Sequence, residues 1–416
     1  MVKDIHVPLF NLVMCVSGAI DLVSPALVGH HKRVAYIAKS IAREAGISSE
    51  EQNNVVLAGL LHDSGALSVK ERLDALEFET NNAQSHAHTG YLLLSKFAPF
   101  QEAALLVKDH HTPWAQGTLQ EEVPLGSQII HLADRIEVLI NRKREILGQV
   151  NDICAQIQKQ SGHLFSPDLV EVFMGLAKKE YFWFEALSPA LETTLQNRVG
   201  MGTLELDDDG LLSFAKMLSQ IVDFRSPFTA SHSSGVAASA EALARYVGFS
   251  ERECKMMMVA GYVHDLGKLA VPAQILEKPG RLDDREIDIM RSHAFYTHYV
   301  FEPLPDLDMI RTWAAFHHER LDGTGYPFHH CSANISLGSR VMAVADVFTA
   351  LTEDRPYRAG LTREEVMSIL RKMVGEQALD RQVVATLEAH YDEIYMVRIE
   401  AQKAADAEYR AFKEKA

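Results

Sequence analysis

His264-Asp265-Leu266-Gly267-Lys268 decides the fold, because the same register occurs 202 residues earlier as His62-Asp63-Ser64-Gly65-Ala66. Carried outward without a gap, that offset also pairs His30 with His232 and Asp21-Leu22-Val23-Ser24-Pro25 with Asp223-Phe224-Arg225-Ser226-Pro227. Gly46 falls on Gly248 and Ala58-Gly59 on Ala260-Gly261. Further along, an offset of 207 pairs His86 with His293 and His110-His111 with His317-His318, and an offset of 212 pairs Asp134 with Asp346. The last step falls where the second copy carries Asp322-Gly323-Thr324-Gly325-Tyr326-Pro327, so that copy has an added loop. One fold has been written twice.

Between these landmarks the apolar residues recur at three- and four-residue spacing, as in 32–45, 53–61, 238–246, 252–263, 284–292 and 363–374, with Gly and Pro clusters between them. No alternating strand pattern of useful length interrupts them. The expected fold class is therefore all-α, in two tandem helical domains related by duplication. Near 197–210, Gly200, Gly202 and the run Asp207-Asp208-Asp209 break the apolar periodicity, which places the domains at 1–200 and 201–416.

The 416 residues, 47% of them hydrophobic, can bury a sizeable core. Cys15, Cys154, Cys254 and Cys331 form no CxxC pair, which fits free thiols in a reducing compartment, and the cytoplasm is the expected location. The apolar stretch 7–29 is interrupted by Asn11, Asp21 and Pro25 and lacks a basic leader with a cleavage signature, so neither a signal peptide nor a membrane span is expected. A formal net charge of -15 opposes binding to long nucleic acid, so a phosphate-bearing substrate must be held by local charge.

The chemistry lies in the polar residues that both copies keep. The second copy supplies His232, His264, Asp265, His293, His317, His318 and Asp346. Neutral imidazoles with carboxylates suit Fe, Mn or Zn, and five His with two Asp suffice for two ions if one carboxylate bridges them. Ions about 3.5–4 Å apart can share a hydroxide of lowered pKa and neutralise a leaving oxygen. A single His on a helix is ordinarily a packing residue, but packing does not explain the same seven polar residues in two otherwise different copies.

His264-Asp265-Leu266-Gly267-Lys268 and His317-His318-Glu319-Arg320-Leu321-Asp322-Gly323-Thr324-Gly325-Tyr326-Pro327 resemble the two signatures of the HD-GYP family. Arg340, Asp346 and Asp354-Arg355-Pro356-Tyr357-Arg358 follow as they do in that family, and the resemblance spans roughly 211–395. It implies an α-helical hydrolase of cyclic di-GMP or 3′,3′-cyclic GMP-AMP that uses Fe or Mn ions. It makes the seven residues above the metal ligands, with His264, bridging Asp265 and Lys268 at the catalytic centre. Lys268 then contacts the scissile phosphate, while Arg340, Thr349, Arg355, Arg358 and Tyr326 are candidate substrate contacts. The Gly-Tyr-Pro loop is also implicated in the family in contacts with diguanylate cyclases of the GGDEF type, and the oligomeric state is left open, a dimer included.

Departures from the family refine this. Members with a third metal carry Glu where this chain has Phe228, so two ions are expected. Thr349 stands where many members have Asp, and a hydroxyl cannot clamp a guanine edge as a carboxylate can, which predicts relaxed selectivity toward 3′,3′-cyclic GMP-AMP. The first copy resembles a plain HD domain and keeps His30, His62, Asp63, His86, His110, His111 and Asp134 as a second candidate metal site. It has Ala66 in place of Lys268, and Thr112-Pro113-Trp114 in place of the loop. That leaves a metal-stabilised regulatory domain, a second hydrolase and a vestigial packing partner open. For the chain as a whole, a metal-dependent cyclic-dinucleotide phosphodiesterase giving a linear 5′-phosphorylated product competes with a non-catalytic dinucleotide or GGDEF-protein binding module. A mononucleotide phosphohydrolase centred on the first copy is the third reading.

Overall fold

The computed structural model describes residues 5–22, 28–66, 78, 83–117, 123–225, 231–278, 280–354 and 359–416. Phe228, Arg355 and Arg358 lie outside these described residues. Numbering helices of seven residues or more, the first half contains α1 (Leu9–Asp21), α2 (His30–Glu44), α3 (Ser49–Leu61), α4 (Ala83–Leu94), α5 (Gln101–Lys108), α6 (Leu125–Val138), α7 (Val150–Lys159), α8 (Pro167–Leu176), α9 (Glu180–Ala186) and α10 (Leu191–Arg198). The second contains α11 (Asp208–Asp223), α12 (His232–Val247), α13 (Glu251–Val263), α14 (Asp284–Val300), α15 (Asp308–Ala315), α16 (Leu337–Thr352), α17 (Arg363–Gly375), α18 (Arg381–Ala389) and α19 (Tyr391–Lys415). The only sheet among the described residues pairs β1 (Ile5–Pro8) with β2 (Thr203–Leu206). The chain is all-α, as the periodicity predicts, apart from these two short strands.

Two compact units divide the chain, Pro8–Thr203 and Leu204–Lys415, and the residues up to Val7 group with the second. The acidic run at the junction starts a helix: the Asp207 carboxylate accepts the Gly210 N–H and caps α11, with Asp208 and Asp209 in its first turn. Carboxylates there meet the orphan N–H groups and the positive end of the helix dipole.

Each unit repeats the same construction. α3 and α13 both begin with a capping box, Ser48 with Glu51 and Ser250 with Glu253. Each helix then delivers its His-Asp doublet at its C-terminal end. α2 packs against α3 and α6 in the first unit, and α12 against α13, α16 and α19 in the second. The turn that includes the first doublet, His62–Gly65, packs on α4, and the turn that follows the second, Leu266–Ala270, packs on α14. A Cβ at Gly65 would sit 2.1 Å from the His86 carbonyl oxygen, and one at Gly267 1.9 Å from that of His293. Only glycine lets the doublet approach the helix carrying the next His so closely. Among the described residues, no helix is long and apolar enough to cross a membrane.

Candidate metal centre

In the second unit the seven predicted ligands converge. His232 opens α12, His264 and Asp265 follow α13, His293 lies on α14, His317 and His318 follow α15, and Asp346 lies on α16. His232 Nε2 is 3.4 Å from Asp346 Oδ1, and His264 Nε2 is 3.2 Å from Asp265 Oδ2. Asp265 Oδ1 faces the other way, 3.5 Å from His293 Nε2. Three groups have ligand atoms within 4.8 Å of one another: His232–His264–Asp346, His293–His317–His318, and His264–Asp265–His317, which joins them. That is the connectivity a bridging Asp265 requires.

The outer nitrogens fix the tautomers. His264, His293 and His317 each place Nδ1 against a backbone carbonyl, those of Gly261 (2.8 Å), Met290 (2.6 Å) and Ala314 (2.6 Å). A carbonyl only accepts, so Nδ1 carries the hydrogen and each Nε2 presents its lone pair to the centre. His293 Nε2 and His317 Nε2 then lie 3.2 Å apart, lone pair toward lone pair, an arrangement that a cation between them relieves. His264 Nε2 is buried and makes no hydrogen bond. Burial and His318 push the His317 imidazole well below its usual range, and burial beside His293 pushes His318 down to about 3. Burial opposes ionisation of Asp265, but His264 and Lys268 outweigh it and hold the carboxyl well below its usual range. Burial thus favours the neutral, ligating form of His293, His317 and His318, whereas at His264 burial is outweighed by Asp265 and the imidazole pKa is raised. An imidazole cluster wrapped around ionised carboxylates fits divalent ions.

His232 is held differently. Its Nδ1 meets Glu353 Oε2 at 3.0 Å, and burial, which alone would lower its pKa, is overcome by Glu353 and Asp346 so that it rises to about 10. Gln402 of α19 donates to the same Glu353 oxygen at 3.2 Å and in turn accepts from Arg398. α19 thereby braces His232. Sequence reading missed Glu353, Gln402 and Arg398, because no fixed spacing links residue 232 to residues 353 and 402.

Lys268 Nζ lies 2.5 Å from Asp265 Oδ2, and its side chain is 21% exposed where that of Asp265 is 7%. It stands on the solvent side of the centre. Tyr326 is half-buried, its ring centroid 4.7 Å from that of His318, with the Arg291 guanidinium 5.6 Å from the Tyr326 ring. The loop behind it is pinned by Glu319, a residue not singled out from sequence: its carboxylate accepts the N–H groups of Phe328 (2.7 Å) and His330 (2.9 Å). A Cβ at Gly325 would lie 2.3 Å from Arg320 N, so the loop folds back onto the His-His-Glu segment only with glycine there.

Two expected substrate contacts point elsewhere. Thr349 is fully buried where α12 packs on α16, its hydroxyl 3.3 Å from that of Ser239, and it has no surface to offer a base. Its distance from Asp346 along α16, less than one turn, did not decide its direction; helix packing did. Arg340 is committed to the protein: Nε to the Ile335 carbonyl (3.0 Å), one terminal nitrogen to Asp380 (2.9 Å), the other to the Ser332 carbonyl (2.7 Å). These bonds anchor the segment before α16. Arg355, Arg358 and Phe228 lie outside the described residues.

The first unit gathers its own set. Asp63, His86, His110 and His111 form one group and His30, His62 and Asp134 another. His62 and His110 direct Nδ1 to the carbonyls of Gly59 (2.9 Å) and Val107 (2.6 Å). Their Nε2 atoms, both oxygens of Asp63 and Asp134 Oδ1 are buried without a hydrogen bond. So many orphaned polar atoms aimed at one another cost heavily unless a cation joins them, so this set also fits metal. His30 Nδ1 meets Glu137 at 2.5 Å, and Arg33 donates to that carboxylate at 2.5 Å. Asp134 accepts from Arg135, whose guanidinium is buried with it.

Residues 27–139 and 216–383 each match the HD domain family. The chain is 34% identical over 406 residues to 3′3′-cGAMP-specific phosphodiesterase 1 of Vibrio cholerae serotype O1, covering 95% of this chain and 94% of that protein. It is 39% identical over 141 residues to a cyclic di-GMP phosphodiesterase of Pseudomonas aeruginosa, 34% of each chain. A crystal structure of a cyclic GMP-AMP-specific phosphodiesterase from V. cholerae superposes with a TM-score of 0.66 at 25% identity, over 93% of this chain and 98% of that one. With the doubled ligand set and the Gly-Tyr-Pro loop in place, the chain belongs to the HD-GYP family, its HD-GYP domain preceded by a second HD domain.

Proposed function

We propose that the chain hydrolyses a cyclic dinucleotide at the second centre, with 3′,3′-cyclic GMP-AMP as its preferred substrate. The observation that carries the reading is Lys268 on the bridging carboxylate at the exposed side of a seven-ligand cluster, beside the Gly-Tyr-Pro loop. The choice of the mixed dinucleotide rests on the relative that matches almost end to end; Thr349, buried against Ser239, does not bear on it. His232, His264, Asp265, His293, His317, His318 and Asp346 would hold two divalent ions; the balance of imidazole and carboxylate suits Fe, Mn or Zn, and the family resemblance narrows this to Fe or Mn. When bound, such ions supply an activated water and neutralise phosphoryl charge.

The residues supply the rest. Carbonyl-fixed Nδ1–H groups keep the rings oriented, and Glu353 does the same for His232. Lys268 exchanges part of its hold on Asp265 for a phosphoryl oxygen whose negative charge grows toward the transition state. Tyr326 offers a ring face and a hydroxyl at the mouth. Water adds to phosphorus, the bond to the 3′-oxygen breaks, and that oxygen leaves as a hydroxyl, giving a linear dinucleotide with a 5′-phosphate. The first unit, lacking both Lys and loop, is a metal-holding regulatory domain. The cysteines are free, which supports a reducing compartment, and the cytoplasm is the location that goes with this reading.

The test is incubation of the purified full chain with Mn²⁺, or with Fe²⁺ under anaerobic conditions, and a panel of cyclic dinucleotides, with products resolved by chromatography. Linear pApG or pGpA from the mixed substrate is expected. Failure to open any cyclic dinucleotide in the metal-loaded protein would overturn the reading.

A further inference from the structure

The two clusters differ at the neighbours of their central aspartate. In the second unit Asp265 Oδ2 has three: His232 Nε2 (3.8 Å), His264 Nε2 (3.2 Å) and Lys268 Nζ (2.5 Å). In the first unit Asp63 Oδ2 also has three: His30 Nε2 (3.8 Å), His62 Nε2 (3.4 Å) and His31 Nε2 (3.8 Å). Ala66 replaces Lys268, so no ammonium reaches this oxygen from that position. His31 comes instead, and its counterpart at the 202-residue offset is Ser233, which cannot reach inward because its hydroxyl donates to Asp223.

His31 is placed as a ligand is placed. Its side chain is fully buried, and Nε2 makes no hydrogen bond. Nδ1 is 2.7 Å from Asp21 Oδ1, and the other oxygen of Asp21 accepts the Gly29 N–H at 2.9 Å. A carboxylate on Nδ1 fixes the tautomer and turns the Nε2 lone pair toward Asp63, as outer carboxylates do for metal-binding imidazoles. The rings of His30, His31 and His62 stand in a triangle with each pair of centroids 5.3 Å apart. A packing imidazole would not be left with an unpaired buried nitrogen facing a carboxylate.

We propose that His31 is an additional metal ligand of the first unit, oriented by Asp21. It fills with an imidazole the place beside the central aspartate that the second unit gives to Lys268. The inference rests on reading the first cluster as a metal centre. It makes that centre richer in ligands and better closed than the catalytic one, and hence a site that retains its ion rather than one that turns over substrate. The exposures agree: the side chains of His30, Asp63 and Asp134 are 1%, 2% and 2% exposed, against 7%, 7% and 13% for His232, Asp265 and Asp346.

The experiment uses the full chain with the second centre emptied by Asp265→Ala and His293→Ala, loaded with Co²⁺ alone. Release to a chromogenic chelator and the visible cobalt bands are recorded before and after His31→Ser, the residue of the other copy. Release on the order of tenfold faster or more, with altered bands, is expected, and Asp21→Asn should shift release in the same direction by less. Unchanged release and bands in His31→Ser, with cobalt still bound, would overturn the role of His31 and leave the first metal centre standing. No cobalt in the emptied chain, while the wild type retains it, removes the centre and the proposal together. If circular dichroism shows the emptied chain unfolded, the same comparison is made between wild type and His31→Ser, where one of two release phases must accelerate; two unchanged phases overturn the proposal.

Discussion

The two halves set the same polar residues on the same helices, yet they finish their clusters in opposite ways. Around Asp265 the third neighbour is a partly exposed ammonium; around Asp63 it is a buried imidazole held by Asp21. Asp346 keeps a more open side chain, whereas Asp134 is covered by the buried Arg135, where the second copy carries Val347. The outer carboxylate on the first His has also moved: Glu137 serves His30, and its counterpart is Thr349, while Glu353 serves His232 from one turn further along. On the proposed reading of the two clusters, metal ligation alone does not make a catalytic centre. A centre also needs an approach for substrate and a donor that can transfer its hydrogen bond to the transition state.

The largest expected effect comes from the bridge. Asp265→Ala should reduce turnover by on the order of 10³-fold or more and lower bound metal, read by steady-state kinetics and elemental analysis. Near-normal turnover in the metal-replete variant would erase the contrast between the halves. Lys268→Ala should keep the ions and lose on the order of 10²-fold in kcat, with KM little changed, because its contact strengthens toward the transition state. A loss expressed in KM alone would instead make Lys268 a binding group.

Glu353→Gln sharpens the comparison from outside the ligands. Roughly tenfold weaker metal retention is expected, measured by chelator competition, since a neutral amide supports His232 less well than a carboxylate. His62→Ala with Asp63→Ala should leave turnover at the second centre within about twofold while lowering the melting temperature and leaving two ions per chain. Loss of all turnover with the protein folded and the second site metallated would mean that the catalytic centre lies in the other half. Thr349→Val should produce the smallest change. The ratio of 3′,3′-cyclic GMP-AMP to cyclic di-GMP hydrolysis should stay within about twofold, and stability should fall by about 1 kcal/mol as Ser239 loses its partner. A shifted ratio would return Thr349 to the substrate.

The sequence by itself determined the duplication, the all-helical class and the two sets of His and Asp that the fold gathers. Polar residues held at constant offsets in an otherwise changing apolar background are visible without coordinates. It also displayed the exchange of Lys268 for Ala66 and the added loop. The His30-His31 doublet against His232-Ser233 was legible in the same alignment, but its meaning was not, since a second His beside a ligand reads equally as surface or core. Only the tertiary structure decided which way Thr349 and Arg340 point, which carboxylate steadies each outer His, and that Glu319 rather than the glycines alone secures the loop. Those choices depend on helices that meet across a hundred or more residues, where packing sets the direction of a side chain and no sequence period records it.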